Sequence, residues 1–395
     1  MNPDLPHTQR FSAIRVGVLV VAAIGVIMSA FGLLQDTDHF FRVYLVGWLL
    51  WAQLAVGCLG IVMLNTIVNG RWFYPVLRFA EAGARTIPLV GVLMIPIIIG
   101  QSDIYIHWIG AELEGGKDVY LTSGFFLIRQ IAYFVIWTAF AFYLSGVSYR
   151  RDREEIADYD QKQRNVGALG LVVYVLTTTL ASYDWTMSLE PSWISTSYGW
   201  VELARMGLTT MPFLFLMSAF FWNEDGYGEK VTDKLVGDFA ELLLVTSLVW
   251  AYLNGITFVV IWSGNVSYYA FWYTERLADG WVVFTTIMTM IHAGLIIAML
   301  IPGLKGRRSS LVALAGITLA IRVLEAYWLV LPTFTESFSP WWWDLGPAIM
   351  IGAIVFGAFG YLYERESMLP VYHISQIEDE GHHNITASKS EAEMI

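Results

Sequence analysis

Charged side chains inside long apolar stretches are the residues of this chain with the greatest capacity for chemistry. Three pairs of opposite charge are spaced three or four residues apart: Glu81 with Arg85, Glu202 with Arg205, and Arg322 with Glu325. Such spacing puts both members of a pair on one face of a helix. An ionisable group inside a membrane span costs roughly 2.5 kcal/mol or more, so it normally faces a partner or a water path. Each pair is therefore either a neutral pair that locks helix packing or a station for a proton or polar ligand.

Further ionisable residues extend this set: Arg129, Asp184, Asp238, Glu241 and His292. Asp184 lies on the last turn of an apolar helix, beside large apolar side chains, and Glu190 follows it in the sequence SYDWTMSLEPSW. A water-exposed loop explains Glu190. The position of Asp184 indicates instead a carboxylate that exchanges protons with the outer water.

The composition predicts that these charges lie in a membrane. Of the 395 residues, 56% are hydrophobic and 14% are charged, whereas roughly a quarter of the residues are charged in a soluble protein. About 20 apolar residues cross the ~30 Å hydrocarbon core of a bilayer as a helix. The sequence therefore predicts an all-α polytopic membrane protein. Its ten transmembrane helices are expected near residues 11–34, 40–68, 75–100, 119–149, 166–188, 197–222, 234–263, 277–302, 309–332 and 342–363.

Basic residues predict the orientation of these helices. One set of connections contains Arg71, Arg150, Arg151, Arg153, Lys162, Arg164, Lys230, Lys234, Lys305, Arg307 and Arg308, whereas the opposite set contains only Arg42, Lys117 and Arg276. The positive-inside rule then places both termini in the cytoplasm. The domains are a cytoplasmic segment 1–10, a transmembrane domain 11–363 and a polar cytoplasmic tail 364–395. Tryptophans near the outer helix ends, among them Trp48, Trp185 and Trp193, indicate anchoring at the headgroup interface.

This orientation sorts the charged residues into layers. The cytoplasmic layer contains Glu81, Arg85, Asp238 and Glu241. The outer layer contains Asp184, Glu190, Glu202, Arg205, Asp279 and Asp344, and the middle layer contains Arg129, His292, Arg322 and Glu325. A structural pair needs no such layering, but a proton route does. The collection therefore favours proton movement, with Asp184, Glu202 and Arg205 converging at the outer face.

Several other functions are excluded by composition. A formal net charge of −11 argues against nucleic-acid binding. Cys58 is the single cysteine, so no disulfide or iron–sulfur cluster can form within the chain. His292 is the only histidine deep in an apolar block, and a buried b-type haem usually takes two imidazoles. We therefore predict no catalytic residue, no metal ligand and no cofactor bound by this chain alone.

The stretch DWTMSLEPSWISTSYG, from Asp184 to Gly199, resembles the junction of helices five and six in the F-type membrane subunit of alternative complex III. That subunit belongs to the polysulfide-reductase (NrfD-like) membrane-subunit family. The resemblance covers the whole chain in helix number and length, but only this junction in motif. It implies two four-helix bundles with two peripheral helices and cytoplasmic termini. The chain departs from the motif at Ser192, where a histidine is often expected, so no imidazole role is carried over there.

The resemblance also implies partners and a function. The chain is expected in the inner membrane of a bacterium, within a quinol:electron-acceptor oxidoreductase that reduces cytochrome c or a similar carrier. Haem c and iron–sulfur clusters would reside in a multihaem cytochrome subunit and an iron–sulfur subunit, beside a C-type sister subunit and small membrane anchors. Quinol is the implied substrate, with no binding residue assigned, and the F type is expected to have structural and proton-conducting roles.

Two alternatives stay open. One is a quinone-binding membrane anchor of a molybdenum-type reductase. The other is a secondary transporter, which predicts internal repeats and broken helices, whereas these spans read as mostly uninterrupted.

Overall fold

The computed structural model of the protein describes residues 6–68, 70–113, 116–154, 161–224 and 226–370. Within these ranges the chain forms helices and no strand. Ten helical segments are long and apolar enough to cross a membrane, which confirms the predicted all-α polytopic fold. Residues 1–5 of the predicted N-terminal segment, and the predicted tail from residue 371 onward, lie outside the described residues.

The helix bounds follow the predicted blocks to within a few residues. The α-helices are α1 (Pro6–Gln35), α2 (Thr37–Val68), α3 (Leu77–Ala84), α4 (Ile87–Val92), α5 (Ile95–Ile99), α6 (Gln101–Ile104), α7 (Lys117–Tyr120), α8 (Ser123–Glu154), α9 (Gln161–Trp185), α10 (Tyr198–Phe220), α11 (Asp233–Gly264), α12 (Ser267–Arg276), α13 (Asp279–Leu300), α14 (Pro302–Lys305), α15 (Arg308–Val330) and α16 (Leu345–Tyr363). Short 3₁₀ turns lie at Arg71–Phe73, Met187–Leu189 and Leu331–Thr333.

The spanning helices pack as two groups of four with one outer pair. Helices α2, α8 and α9 pack with the third span (α3 to α5), and α10, α11, α13 and α15 form the second group. Helix α1 packs along α16, which also contacts α2. Helices α1 and α16 approach closely at Gly25, where glycine has no Cβ atom. A Cβ atom there would lie 2.5 Å from the Met350 backbone nitrogen. Helices α2 and α10 contact each other, so the interface between the two groups runs along them.

The third span is not one continuous helix. It is divided into α3, α4 and α5, and Pro88 and Pro96 lie in the first turns of α4 and α5. Proline lacks the N–H that would continue the helical ladder, and its ring displaces the preceding turn. Pro212, in contrast, lies inside an unbroken α10. Among the ten spans of the described residues this one is divided into short helices, which agrees with the expectation of mostly uninterrupted spans.

Several tryptophans predicted as interfacial anchors are part of the protein core. Trp48, Trp185 and Trp193 are each at most 2% exposed. The rings of Trp48 and Trp185 meet edge to face at 4.9 Å, which is a favoured aromatic geometry. Trp341 and Trp342 are exposed as an anchor would be. The rings of Trp48 and Trp185 instead hold α2, α8 and α9 together, and Trp193 stacks on Trp272 of α12 at 4.6 Å.

Candidate functional site

A continuous network of polar side chains crosses the interior at the interface between the two helix groups. On α10, Arg205 contacts Glu202 one turn earlier, and on α15, Arg322 contacts Glu325, as their spacing predicts. The two pairs are joined because Arg205 Nε donates to Glu325 Oε1 at 3.2 Å. All four side chains are almost fully buried. Two predicted local pairs are thus one ionic network between α10 and α15.

The network continues to His292 on α13. Arg322 contacts His292 Nε2, and His292 Nδ1 lies 2.9 Å from the Met288 carbonyl oxygen. Because that carbonyl can only accept, Nδ1 carries the hydrogen, and the lone pair of Nε2 faces the guanidinium. His292 is therefore a neutral imidazole in this arrangement. The Trp250 ring stacks on it at 4.2 Å and also lies 5.0 Å from the Arg322 guanidinium.

At its other end the network reaches α2. Gln53 Nε2 donates to Glu202 Oε1 at 2.6 Å, and both residues are buried. We call the whole set the central network, which consists in order of Gln53, Glu202, Arg205, Glu325, Arg322 and His292. Its two carboxylates balance its two guanidinium groups, so it is neutral as a whole. Leaving one member without its partner would strand a buried charge, at about 3–5 kcal/mol.

Asp184 belongs to a separate cluster with helix α8. Arg129 donates to its carboxylate through Nε at 2.9 Å and through a terminal nitrogen at 2.8 Å. Gln130 and Tyr133 donate to the same carboxylate at 3.1 and 3.0 Å. Asp184 is 0% exposed, so its predicted direct exchange with outer water does not occur in this conformation. We call this set the Asp184 cluster.

The predicted outer convergence of Asp184 with Glu202 and Arg205 is not seen. In the described part of the chain, no hydrogen bond or ion pair joins the Asp184 cluster to either residue. Arg129, predicted as a single charge in the middle layer, is instead the partner of Asp184. Its guanidinium also lies 3.8 Å from the centre of the Tyr120 ring. This cluster fixes α8 against the end of α9.

The charges predicted near the cytoplasmic side divide into two places. Glu81 pairs with Arg78 and not with Arg85, and Arg78 also contacts Asp152. Arg85 instead donates from Nε to Ser145 Oγ at 2.7 Å. Arg78 stands three residues before Glu81, so the spacing rule that selected Arg85 fits Arg78 equally well.

The other two residues of the predicted cytoplasmic layer lie near the surface. Glu241 pairs with Lys305 at 3.0 Å, and its side chain is 65% exposed. Asp238 is half-buried one turn earlier on α11. A surface pair of this kind contributes about 0–1 kcal/mol. The predicted cytoplasmic half therefore does not form one buried group.

Sequence reasoning missed Gln53, Trp250 and Arg276. Gln53 is a polar residue in the middle of an apolar block, which was the available signal. Arg276 is buried between α12 and α15, where its guanidinium donates to the carbonyl oxygens of Trp272 and Leu329 at 2.9 and 3.0 Å. Among the residues that the structure describes, no group of three or more metal-ligand side chains is close enough to hold a metal ion. No protein-family model matches the chain, and no curated protein matches it in sequence.

Proposed function

We propose that this chain is a membrane subunit of a quinol-oxidising electron-transfer complex of the alternative complex III type, and that it contributes a proton route. The motif between Asp184 and Gly199 supports the family, and the ten spans agree with it. The observation that carries the proton route is the central network, which connects α2, α10, α15 and α13 through buried polar side chains.

Within the central network, Glu202 and Glu325 are the groups that can take up and release a proton. Arginine stays protonated in proteins, so Arg205 and Arg322 act as fixed positive charges. Protonation of Glu325 would remove the negative charge that holds Arg322. Arg322 could then move away from His292, whose Nε2 would be free to accept a proton. The Arg322 guanidinium thus couples the protonation of Glu325 to that of His292.

Electron transfer is assigned to the partners. Haem c and iron–sulfur clusters are proposed in a multihaem cytochrome subunit and an iron–sulfur subunit, with a C-type sister subunit and small membrane anchors completing the complex. Quinol supplies the electrons and protons when it is bound to the complex, and we assign no quinol-binding residue to this chain. The residues described above hold and transfer protons only.

A secondary transporter is the competing proposal, because the third span is broken at Pro88 and Pro96. In transporters, broken helices supply the binding site near the midplane. The central network, however, lies on α2, α10, α13 and α15, none of which is divided. The charges of the central network are therefore separate from the break, which favours the subunit proposal. A quinone-binding anchor of a molybdenum-type reductase shares the fold and differs in its soluble partners.

The proposal is tested by counting protons taken up and released per electron in vesicles that contain the assembled complex. Glu325→Gln should lower this ratio while haem and cluster content stay unchanged. Glu241→Gln is the matched control, since Glu241 is an exposed carboxylate with one surface partner, and it should leave the ratio unchanged. A wild-type ratio in Glu325→Gln would reduce the central network to a structural element.

A further inference from the structure

A cavity borders the central network, and His292 and Glu325 of that network are among its lining residues. It has a volume of about 350 Å³ and lies between α11, α12, α13 and α15. Ligand pockets in proteins typically have volumes of about 300–1,000 Å³ and mostly apolar walls with a few polar groups. Here the walls include Phe258, Ile296 and Trp328, and the polar lining includes Arg276, Asn254 and Thr289. We call it the Arg276 cavity.

Arg276 is a buried cation with weak compensation. It is 1% exposed, and its closest carboxylate oxygen belongs to Glu275, 4.0 Å from a guanidinium nitrogen, on a side chain that is 41% exposed. Its Nε is buried and has no hydrogen-bond partner. Four other buried arginines each contact a carboxylate directly: Arg78, Arg129, Arg205 and Arg322. Burial lowers the pKa of Arg276 to about 10, because desolvation disfavours its charged form.

The direct contacts of Arg276 are with carbonyl oxygens and an aromatic ring, whereas the carboxylates of Glu275 and Glu190 act on it at longer range. Arg276 donates to the carbonyl oxygens of Trp272 and Leu329, and its guanidinium lies 3.7 Å from the centre of the Trp272 ring. These contacts hold the side chain in place but supply no full negative charge. A carboxylate or phosphate oxygen would supply it, and the planar guanidinium suits both groups.

The lining of the cavity extends in the direction that an amphiphile requires. Arg276 ends α12, in the connection between the spans α11 and α13, and therefore lies near the level of the lipid headgroups. From Thr285, next to Arg276, the lining continues along α13 to Ile296. Eleven residues of helix correspond to about 16 Å. Arg276 thus lies at one end of the lining, and mostly apolar walls, interrupted by His292 and Glu325, extend from it along α13.

We propose that the Arg276 cavity binds an anionic amphiphile, with its carboxylate or phosphate head at Arg276 and its alkyl chain along α11 and α13. The proposal does not depend on quinol oxidation or on a proton route. A fatty acid and an acidic phospholipid offer the same chemistry, and the binding experiment distinguishes them.

The experiment measures equilibrium binding of tritiated palmitate, and separately of tritiated phosphatidylglycerol, to the purified full chain in detergent. Arg276→Gln should weaken binding by about tenfold or more, since it removes a charge-assisted interaction. Arg42→Gln is the charge-matched control. Arg42 is a half-buried arginine that donates to the Asp103 carbonyl at 3.1 Å and does not line the cavity, so its loss should leave binding unchanged.

A second variant tests the cavity itself. Gly255 lines it, and a Cβ atom there would meet nothing within 4 Å, so Gly255→Leu should fill the space without disturbing the helix. Gly294 on α13 also has nothing within 4 Å but is not a lining residue, so Gly294→Leu is its control. We expect Gly255→Leu to weaken binding and Gly294→Leu to leave it unchanged.

The two ligands identify the source: tighter binding of palmitate indicates a fatty acid, and tighter binding of phosphatidylglycerol indicates a membrane lipid. Wild-type affinity in both Arg276→Gln and Gly255→Leu would overturn the proposal. Equal competition by uncharged hexadecanol would also overturn it, because the head would then not need its charge. If Arg276→Gln fails to fold, Gly255→Leu and the hexadecanol competition decide the question.

Discussion

Substitutions of Arg322 and Glu325 test most directly whether the charges of the central network stabilise one another. The Glu325 carboxylate contacts both Arg205 and Arg322, so Glu325→Ala leaves two buried guanidinium groups without this carboxylate. We expect a loss of about 3–5 kcal/mol in the free energy of unfolding. The double variant Arg322→Gln/Glu325→Gln should lose less than the sum of its single variants, since it keeps the network neutral. Thermal unfolding in detergent, analysed as a double-mutant cycle, provides the measurement, and additive effects would show that the two residues do not interact.

Glu190 is a second residue with a testable effect, because its titration should make the stability of the fold depend on pH. The expectation that Glu190 lies in a water-exposed loop is wrong, because the residue is 8% exposed. Burial raises its pKa, and the nearby His107, 3.6 Å away, and Arg276 oppose this only in part. A carboxyl whose pKa is higher in the folded state stabilises the fold while it is protonated, and that stability is lost as the pH rises through the folded-state pKa. The stability of the wild type should therefore fall as the pH rises above 4.5, the ordinary pKa of a glutamate carboxyl, and the stability of Glu190→Gln should fall less. Glu112→Gln, at an exposed position, should follow the wild type; an unchanged slope in Glu190→Gln would contradict the prediction.

At the scale of the helices, ion pairs join several helix ends that the sequence assigns to the cytoplasm. Arg308 at the start of α15 contacts Asp233 at the start of α11 at 2.7 Å, and Lys305 contacts Glu241. Arg78 near the start of α3 contacts Asp152 near the end of α8. The connections rich in basic residues are thus brought together at one end of the helices.

Accessibility labelling tests which side that end faces. In a Cys58→Ala background, Lys162→Cys should react with an impermeant thiol reagent only from the cytoplasmic side, because its connection contains many basic residues. Ser192→Cys, in the connection between α9 and α10, should react only from outside. Cys58 is the single native cysteine, so its replacement leaves the introduced thiol as the one that can react. Labelling of position 162 from outside would reverse the predicted orientation.

At the scale of the whole molecule, the second helix group leaves a large apolar area uncovered by this chain. Within an 18-residue apolar stretch of each span, only 11% of the residues of α11 and 22% of those of α13 are buried, against 78% for α2. Such a surface suits lipid as well as neighbouring membrane subunits. The proposed complex predicts that the chain purifies from its native membrane with partners that carry haem.

The haem content of the purified protein tests the proposal that haem resides in partner subunits. The separately expressed chain should show no haem absorption, because its single cysteine is buried and His292 already uses both ring nitrogens. The material purified from native membranes should show haem c bands from the partner subunit. A haem band in the isolated chain would contradict the first expectation, and a colourless single-chain carrier from native membranes would contradict the second.

The sequence by itself determined the number of the spans and their bounds to within about five residues, because a helix needs about 20 apolar residues to cross a bilayer. It also determined the pairs Glu202–Arg205 and Arg322–Glu325, since residues three apart on a helix are neighbours whatever surrounds them. Local periodicity was ambiguous at Glu81, where Arg78 and Arg85 both fit and only the fold selected Arg78.

Only the tertiary structure decided which residues meet across helices. The spanning helices are apolar around most of their circumference, so no amphipathic face in the sequence indicates how each helix is rotated. That rotation brings Arg205 into contact with Glu325 and Arg129 into contact with Asp184. It also buries Trp48 and Trp185. Rotation and close packing also create the Arg276 cavity, which has no counterpart in the sequence pattern because its walls come from four separate helices.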